Sequence, residues 1–117
     1  MMTKVIICGS RAIKTTDLVV ECIKNSSFNP TEVICGGAEG VDKIAEIWAK
    51  ANNIPCKLFL PDYSEYDRAA PIIRNIEMLK EGEALIAIWD GFSMGTKHMI
   101  TRATKMGMPM KVWEVSK

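Results

Sequence analysis

A chain of 117 residues can build one domain around a single hydrophobic core and is too short for two. Its formal net charge of +1 gives no long-range field that would attract nucleic acid or an acidic membrane. No apolar run approaches the roughly 20 residues of a membrane-spanning helix, and the first apolar run begins too early for a signal peptide. We therefore expect one cytoplasmic domain over residues 1–117, with no membrane and no nucleic acid as partners.

The cysteines and the histidine do not form a metal-binding pattern. No two of the four cysteines have zinc-ligand spacing, and His98 is the only histidine. Each cysteine sits within an apolar run, where the side chain behaves as a small core residue. We therefore predict reduced, buried thiols, no metal site and no cofactor; the cysteines are Cys8, Cys22, Cys35 and Cys56.

The apolar pattern alternates between strand and helix along the whole chain. Almost continuous apolar runs predict five strands, at about 4–8, 31–35, 56–60, 84–89 and 110–115. Apolar positions at helical spacing predict four helices between them, at about 18–24, 41–52, 68–80 and 97–106, and residues 61–67 are expected to form a loop. The residues expected on the core side of the last two helices are Ile72, Ile73, Ile76 and Leu79, then Met99, Ile100, Ala103 and Met106.

Regular alternation of this kind is typical of an α/β fold. Right-handed crossovers favour a Rossmann-like, five-stranded parallel sheet of order 3-2-1-4-5 with helices on both faces. Ligands of such sheets bind at the carboxyl ends of the strands, where the winding reverses. The pattern therefore places the turn at residues 9–11, the glycine-rich loop at 36–40 and the loop at 90–96 around one crevice.

The glycine-rich loop contains Gly36, Gly37 and Gly40 and runs directly into a helical pattern. Glycine lets a ligand approach bare backbone, and the start of a helix offers free N–H groups to a phosphate or carboxylate. The same glycines could equally form only a short strand-to-helix connection. The spacing matches neither the dinucleotide fingerprint nor a P-loop, so this stretch leaves both interpretations open.

Four segments in order resemble the SLOG superfamily of Rossmann-like nucleotide-handling domains. They are Gly9-Ser10-Arg11, Gly36-Gly37-Ala38-x-Gly40-x-Asp42, Arg74-Asn75-x-x-Met78 and Gly95-Thr96. The superfamily includes the Lonely Guy phosphoribohydrolases and the DNA-processing protein A family. The chain is most similar to the short YspA-like branch, which is found in bacteria and phages.

The resemblance implies a site but not the Lonely Guy chemistry. In those enzymes a glycine-threonine loop holds a nucleotide phosphate, while an arginine and a glutamate carry N-glycosidic hydrolysis. Arg74 matches that arginine, but Met99 stands at the position of the glutamate, with His98 beside it. Hydrolysis through an oxocarbenium-like state needs a carboxylate near the sugar. The remaining catalytic candidates are Arg74, Glu39, Asp90 and His98.

Several of the site candidates also have an ordinary structural interpretation. Arg11 could be a solvated loop residue, Arg74 could pair with Glu77, and we favour a dipole-satisfying role for Asp42 over a ribose contact. Either Tyr63 or Tyr66 could stack on a base, and both could equally pack in the core or as a lid. The residues expected to bind ligand or phosphate are Gly9, Ser10, Arg11, Gly36, Gly37, Gly40, Asp42, Arg74, Asn75, Gly91, Ser93, Gly95 and Thr96.

Two functions follow from this pattern. The first is binding of a nucleotide or a nucleotide-derived small molecule, as a sensor or carrier. The alternative is a nucleoside-monophosphate phosphoribohydrolase or related N-glycosidase, which the missing glutamate disfavours. Relatives of this kind form dimers through helices beside the sheet, so we also expect a homo-oligomer, with Met106, Met108 and Trp113 as apolar surface.

Overall fold

The computed structural model describes residues 3–115. Residues 1–2 and 116–117 lie outside this range. The expectation that no signal peptide precedes β1 concerns the first two of these residues and therefore lies outside the described part of the chain. The strands are β1 (Lys4–Gly9), β2 (Glu32–Cys35), β3 (Cys56–Leu58), β4 (Ala84–Trp89) and β5 (Met110–Glu114). The helices are α1 (Thr16–Asn25), α2 (Val41–Ala51), α3 (Tyr63–Tyr66), α4 (Ala70–Glu81) and α5 (Met94–Lys105), with a 3₁₀ turn at Asp67–Ala69.

The five strands form one parallel sheet in the order β3-β2-β1-β4-β5, which confirms the expected topology. β1 is the central strand. Val5 is aligned with Val33 of β2 on one side and with Ala84 of β4 on the other. The winding reverses at β1, so the carboxyl ends of β1, β2 and β4 meet where a ligand is expected.

Alternate side chains of the buried strands supply two cores, one on each face of the sheet. Val5 and Ile7 pack in a cluster with residues of α1 and α2, whereas Ile6 and Cys8 pack with residues of α4 and α5. This alternation is the period-two geometry of a strand covered on both faces. Helices therefore flank both faces of the sheet, as expected.

The segment expected to be a loop at 61–67 contains the one-turn helix α3, so that prediction is wrong. Asp62 caps it: its Oδ1 accepts a hydrogen bond from the backbone N–H of Glu65 at 3.2 Å and another from the Ser64 hydroxyl at 2.6 Å. An acidic cap followed three residues later by glutamate is a helix-start signature, and it was present in the sequence. Helix α4 consequently begins at Ala70 rather than at residue 68, with Pro71 in its first turn, as expected.

Two residues expected on the inner faces of helices are exposed instead. Ile72 of α4 is 48 % exposed and Met106, just after α5, is 55 % exposed. The buried apolar positions of α4 and α5 include Met78, Leu79 and Met99, because these residues face the sheet. β3 is also shorter than expected and ends at Leu58. The N–H of Phe59 still donates a hydrogen bond to the Cys35 carbonyl, but Pro61 has no N–H and cannot continue the pairing.

All four cysteines are free thiols. Cys8, Cys22 and Cys35 are buried and Cys56 is partly buried, and the sulfur atoms of Cys35 and Cys56 lie 3.3 Å apart. Burial raises the pKa of the Cys8 and Cys35 thiols well above their usual range. The expectation of reduced core thiols therefore agrees with their placement.

The flanking surfaces bear on membrane contact and on assembly. Within residues 3–115, none of the helices combines the length and the apolar character needed to cross a bilayer.

Met108 packs against the core on the α4–α5 face of the sheet, and Trp113 packs against the core on the opposite face. These two residues therefore do not belong to one apolar surface, and the homo-oligomer stays a prediction.

Candidate functional site

A cavity of about 360 Å³ opens at the carboxyl ends of the central strands. Its walls come from the ends of β1 and β2, from the start of α2, from the segment after β3, from α4 and from the amino-terminal half of α5. A volume of this size lies at the lower end of the range for small-molecule sites. The structure brings together in its lining ten of the expected binding residues: Gly9, Arg11, Gly36, Gly37, Asp42, Arg74, Asn75, Ser93, Gly95 and Thr96.

Asp42 supplies a carboxylate to the wall of this pocket although it is only 5 % exposed. Its Oδ2 accepts hydrogen bonds from the backbone N–H groups of Gly36 at 3.2 Å and Ala38 at 3.4 Å. Burial raises the pKa of Asp42 to about 6, and these N–H groups together with the nearby Arg74 oppose the rise. The glycine-rich loop therefore directs its amides at a carboxylate of the protein itself.

Arg74 reaches from α4 to the same loop. Its Nη1 donates to the carbonyl oxygen of Gly36 at 2.8 Å and to that of Phe59 at 3.4 Å, and its Nε donates to Oδ1 of Asn75 at 3.1 Å. Within residues 3–115, Arg74 forms no ion pair with Glu77, the alternative that its sequence position offered. The guanidinium is therefore held in the pocket wall by hydrogen bonds to neutral acceptors, and the nearby Asp42 carboxylate interacts with its charge without a direct ion pair.

Asn75 joins α4 to the start of α5. Its Nδ2 lies 3.4 Å from the carbonyl oxygen of Gly95 and 3.4 Å from Nδ1 of His98. Burial and the nearby Arg102 lower the pKa of His98. His98 does not itself line the pocket, so its effect on a ligand would pass through Asn75.

The amino terminus of α5 is open towards the pocket. The Ser93 side chain caps the helix, accepting from the Thr96 N–H at 3.4 Å, and the first turn contains no acidic residue. The N–H groups of Met94 and Gly95 have no partner within the helix by virtue of their position. A Cβ atom added at Gly95 would meet no neighbouring element within 4 Å, so the surface beside this glycine is open.

Three of the expected binding residues support the loops rather than line the cavity. The buried Ser10 hydroxyl accepts the Asp90 N–H at 2.9 Å, which ties the end of β1 to the end of β4. Gly40 lies beneath the carbonyls of Ser10 and Arg11 with φ at +79°. Gly91, with φ at +86°, faces Glu114.

The two acidic catalytic candidates, Glu39 and Asp90, do not line the pocket. Glu39 is exposed, and Asp90 is buried with its Oδ1 accepting the N–H groups of Phe92 and Ser93 at 2.8 and 2.9 Å. Among residues 3–115, Asp42 is the one carboxylate in the lining.

The sequence did not identify the apolar part of the wall. The lining residues that it missed as site residues are Cys8, Ala38, Leu60, Pro61, Tyr63, Pro71, Ile72, Met78 and Met99. Leu60 and Pro61 follow a strand end at the same edge of the sheet, which was the available signal. Tyr63 was considered only as a base-stacking or lid residue.

The sequence comparisons decide the family. A family description, "YspA, cpYpsA-related SLOG family", abbreviated YAcAr, matches residues 3–66, more than half of the chain. The Gene 61 protein of Mycobacterium phage D29 is 34 % identical over 119 residues, which cover 93 % of this chain and 94 % of that protein. The chain belongs to the YAcAr family.

This assignment confirms the SLOG resemblance. The matched residues carry the turn at 9–11 and the glycine-rich loop with Asp42, whereas Arg74 and α5 lie beyond them. The X-ray structure of DNA processing protein A from Streptococcus pneumoniae has a similar fold, with a TM-score of 0.76 and 17 % identity. That similarity covers 95 % of this YAcAr chain and 50 % of the longer protein, so it concerns the α/β fold alone.

Proposed function

We propose that the chain binds a small phosphorylated ligand of the nucleotide class in the pocket at the carboxyl ends of β1, β2 and β4, and acts as a sensor or carrier of it. The observation that carries the proposal is the convergence of Arg11, Arg74 and the amino terminus of α5 on one cavity. Two guanidinium groups and a positive helix end favour an anion, although the protein as a whole is almost neutral.

The phosphate is assigned to α5 rather than to the glycine-rich loop. The amides of Gly36 and Ala38 already donate to Asp42, and a phosphate there would face a carboxylate. The first turn of α5 has no acidic residue, and the hydroxyls of Ser93 and Thr96 lie 3.1 Å apart, so one of them donates to the other and the second can donate to a phosphate oxygen. Charge therefore orients the ligand, with its phosphate at α5.

The other end of the ligand then faces Asp42. A carboxylate accepts hydrogen bonds from hydroxyl or amino groups, which a ribose or a base supplies. The exposed side chains of Leu60, Tyr63 and Ile72 provide apolar and aromatic surface on the rim, against which a flat base can pack. A nucleoside monophosphate meets both requirements.

Calorimetry with nucleoside monophosphates and the matching nucleosides tests this proposal. We expect the phosphorylated compound to bind more tightly, and Arg11→Ala and Arg74→Ala to weaken it roughly ten- to a hundredfold. Arg68→Ala is the matched control, because Arg68 is an exposed arginine outside the pocket lining. The proposal is wrong if the nucleoside binds equally well, or if both pocket variants bind like Arg68→Ala.

N-glycosidic hydrolysis is the second candidate, favoured by one observation. Asp42 is a buried carboxyl in the pocket with its pKa raised to about 6, which suits proton transfer near neutral pH. Met99, which stands at the position of the Lonely Guy glutamate, is buried in the same wall. Incubating nucleotides with the protein and measuring free base by chromatography tests this activity. We expect no free base; release of base that Asp42→Asn abolishes would establish the hydrolase instead.

A further inference from the structure

The side-chain amide of Asn75 has a partner at each of its two polar atoms. Asn75 is only 6 % exposed and lies on α4, between the guanidinium of Arg74 and the first turn of α5. Its Oδ1 accepts a hydrogen bond from Nε of Arg74 at 3.1 Å. Its Nδ2 carries two hydrogens, and it lies 3.4 Å from the carbonyl oxygen of Gly95 and 3.4 Å from Nδ1 of His98.

Two of these partners determine which way the amide points. The guanidinium of Arg74 can only donate, and the carbonyl oxygen of Gly95 can only accept. A half-turn of the amide would set Nδ2 against the Nε–H of Arg74 and Oδ1 against the carbonyl oxygen of Gly95. Both contacts would then be repulsive. Arg74 and Gly95 therefore keep Nδ2 of Asn75 directed at His98.

The orientation of Asn75 in turn determines the protonation state of His98. Nδ1 of His98 faces an N–H group, so it has to accept, and the proton of the neutral ring has to lie on Nε2. A second proton would place an N–H at Nδ1 against the N–H of Asn75. Turning the amide to relieve that contact would create the two repulsive contacts at Arg74 and Gly95. A protonated His98 is therefore incompatible with the hydrogen bonds that Asn75 makes.

The charged groups around His98 also act against a second proton. On α5 they are all cations, and one of them, Arg102, acts together with burial to lower the pKa of His98. β4, which packs against α5, contains no titratable side chain. Within residues 3–115, His98 belongs to no ion pair that would stabilise its cation. The charged residues of α4 are Arg74 beside Asn75, the exposed Glu77 and Lys80, and Glu81, which is bound to Lys57.

The hydrogen bonds of Arg74 leave its Nη2 group for a ligand. Nε donates to Asn75 and Nη1 donates to the carbonyls of Gly36 and Phe59, whereas no hydrogen bond among residues 3–115 uses Nη2. The guanidinium is planar, so fixing Nε and Nη1 also fixes the direction of the Nη2 hydrogens. Asn75 therefore helps to aim the group that would meet an anion in the pocket.

We propose that His98 is a positioning residue of the ligand pocket. As a neutral acceptor at Nδ1 it holds the amide of Asn75, and this amide orients the guanidinium of Arg74. Protonation of His98 disrupts the amide and leaves Nε of Arg74 without its acceptor, so the pocket loses affinity for an anion as the pH falls. The effect on affinity rests on the proposed function, whereas the arrangement of the three side chains does not.

A direct electrostatic effect of His98 would have the opposite sign. An imidazolium near the amino end of α5 adds positive charge close to the position assigned to the phosphate, and by itself it would strengthen binding. The orientation of Asn75 predicts weaker binding in acid instead. The direction of the pH effect therefore separates the two explanations.

Nuclear magnetic resonance of the ligand-free protein tests the arrangement itself. His98 is the only histidine, so its ring signals are identified without further assignment. We expect the Nε2–H tautomer at about pH 7.5, and the Nε–H signal of Arg74 should change with the same midpoint as the His98 ring. In His98→Asn, whose Oδ1 takes the place of Nδ1, this change should be absent and only the part due to Asp42 should remain. An Nδ1–H tautomer, or an Arg74 signal that does not follow His98, would overturn the proposal.

Calorimetry with adenosine monophosphate tests the effect on the pocket. The parent and His98→Asn are compared at about pH 7.5 and about pH 5; both proteins keep Asp42 and meet the same phosphate, so the ratio of their Kd values cancels those titrations. We expect similar Kd values at the higher pH, and a parent that binds at least about threefold more weakly than His98→Asn at the lower pH. His98→Ala, which removes the acceptor, should bind more weakly than His98→Asn at both pH values.

Lys97→Gln is the matched control, because Lys97 is an exposed cation in the first turn of α5 and lies outside the pocket lining. Its Kd should differ from that of the parent by the same factor at both pH values. A parent that binds as tightly as His98→Asn at the lower pH, or more tightly, would overturn the proposal. If neither protein binds adenosine monophosphate at either pH, the proposed function fails, and the resonance titration still decides the role of His98.

Discussion

The guanidinium of Arg74 donates to the backbone carbonyl of Gly36 across 2.8 Å, which ties α4 to the glycine-rich loop. The two residues are 38 positions apart, and Arg74 also contacts Asn75 and Phe59. The arginine that we assign to ligand binding thus also holds α4 against the glycine-rich loop. Binding measurements on its variants therefore need a stability measurement beside them.

Arg74→Ala should lower the free energy of unfolding by about 1–3 kcal/mol, because it leaves part-buried acceptors without a donor. Arg74→Lys should lie between the alanine variant and the parent, since an ammonium group cannot donate in two planar directions at once. Urea unfolding followed by tryptophan fluorescence measures the change. Arg68→Ala, on the exposed 3₁₀ turn, should stay within about 0.5 kcal/mol of the parent. Equal free energies of unfolding for the two alanine variants would show that the hydrogen bond from Arg74 to Gly36 does not contribute to stability.

Asp42 should make the protein less stable as the pH rises from about 4 to about 6. Its pKa is raised from 3.8 to about 6, so in this interval the folded chain holds a proton that the unfolded chain releases. Below pH 4 the contribution is fully favourable, above pH 6 it is lost, and its full size is about 3 kcal/mol. Urea midpoints at pH 4 and pH 7, compared between the parent and Asp42→Asn, measure it. The variant should show a smaller decline; identical declines would contradict the assignment.

Gly40→Ala should destabilise the fold by about 3 kcal/mol or more. A Cβ atom there would lie 2.5 Å from the Ser10 carbonyl oxygen and 2.6 Å from that of Arg11, at a φ of +79° that side chains rarely adopt. Gly95→Ala is the matched control, because it lies in α5 with open space around it and should be neutral or stabilising by up to about 1 kcal/mol. Thermal unfolding of both variants would distinguish them, and equal melting temperatures would refute the expectation.

The thiols should react slowly in the native protein. Burial raises the pKa of the Cys35 thiol, and burial also raises the pKa of Cys56, so little thiolate is present at neutral pH. With a disulfide reagent, the partly buried Cys56 should react first and the buried cysteines only after unfolding, when all four should titrate. Rapid native modification of two or more thiols would contradict this placement.

The strand order and the presence of a cavity at the carboxyl ends of the central strands could be predicted from sequence, because both depend on patterns that are local in the chain. An unbroken apolar strand such as Ala84–Trp89 is buried on both faces wherever it is placed, and regular alternation leaves few topologies. Gly36 and Gly37 likewise lie where a strand end passes into a helix. These features needed no knowledge of distant contacts.

What could not be predicted depends on tertiary placement. Ile72 and Met78 have similar hydrophobicity, and only the orientation of α4 on the sheet decides that one is exposed and the other buried. The hydrogen bond between Arg74 and Gly36 joins residues that are 38 positions apart in sequence. They come close only when the sheet and α4 have packed together. The acidic cap at Asp62 is different, because its signature was local and was overlooked.

Because β1 lies at the centre of the sheet, one of its two neighbouring strands, β4, is synthesised long after it. Val5 aligns with Ala84, so β1 and β2 are complete about 50 residues before β4 has been translated, an interval of roughly 3–10 s at ordinary elongation rates. Throughout that interval, one side of an almost wholly apolar strand has no neighbour to accept its backbone hydrogen bonds, which invites pairing between nascent chains.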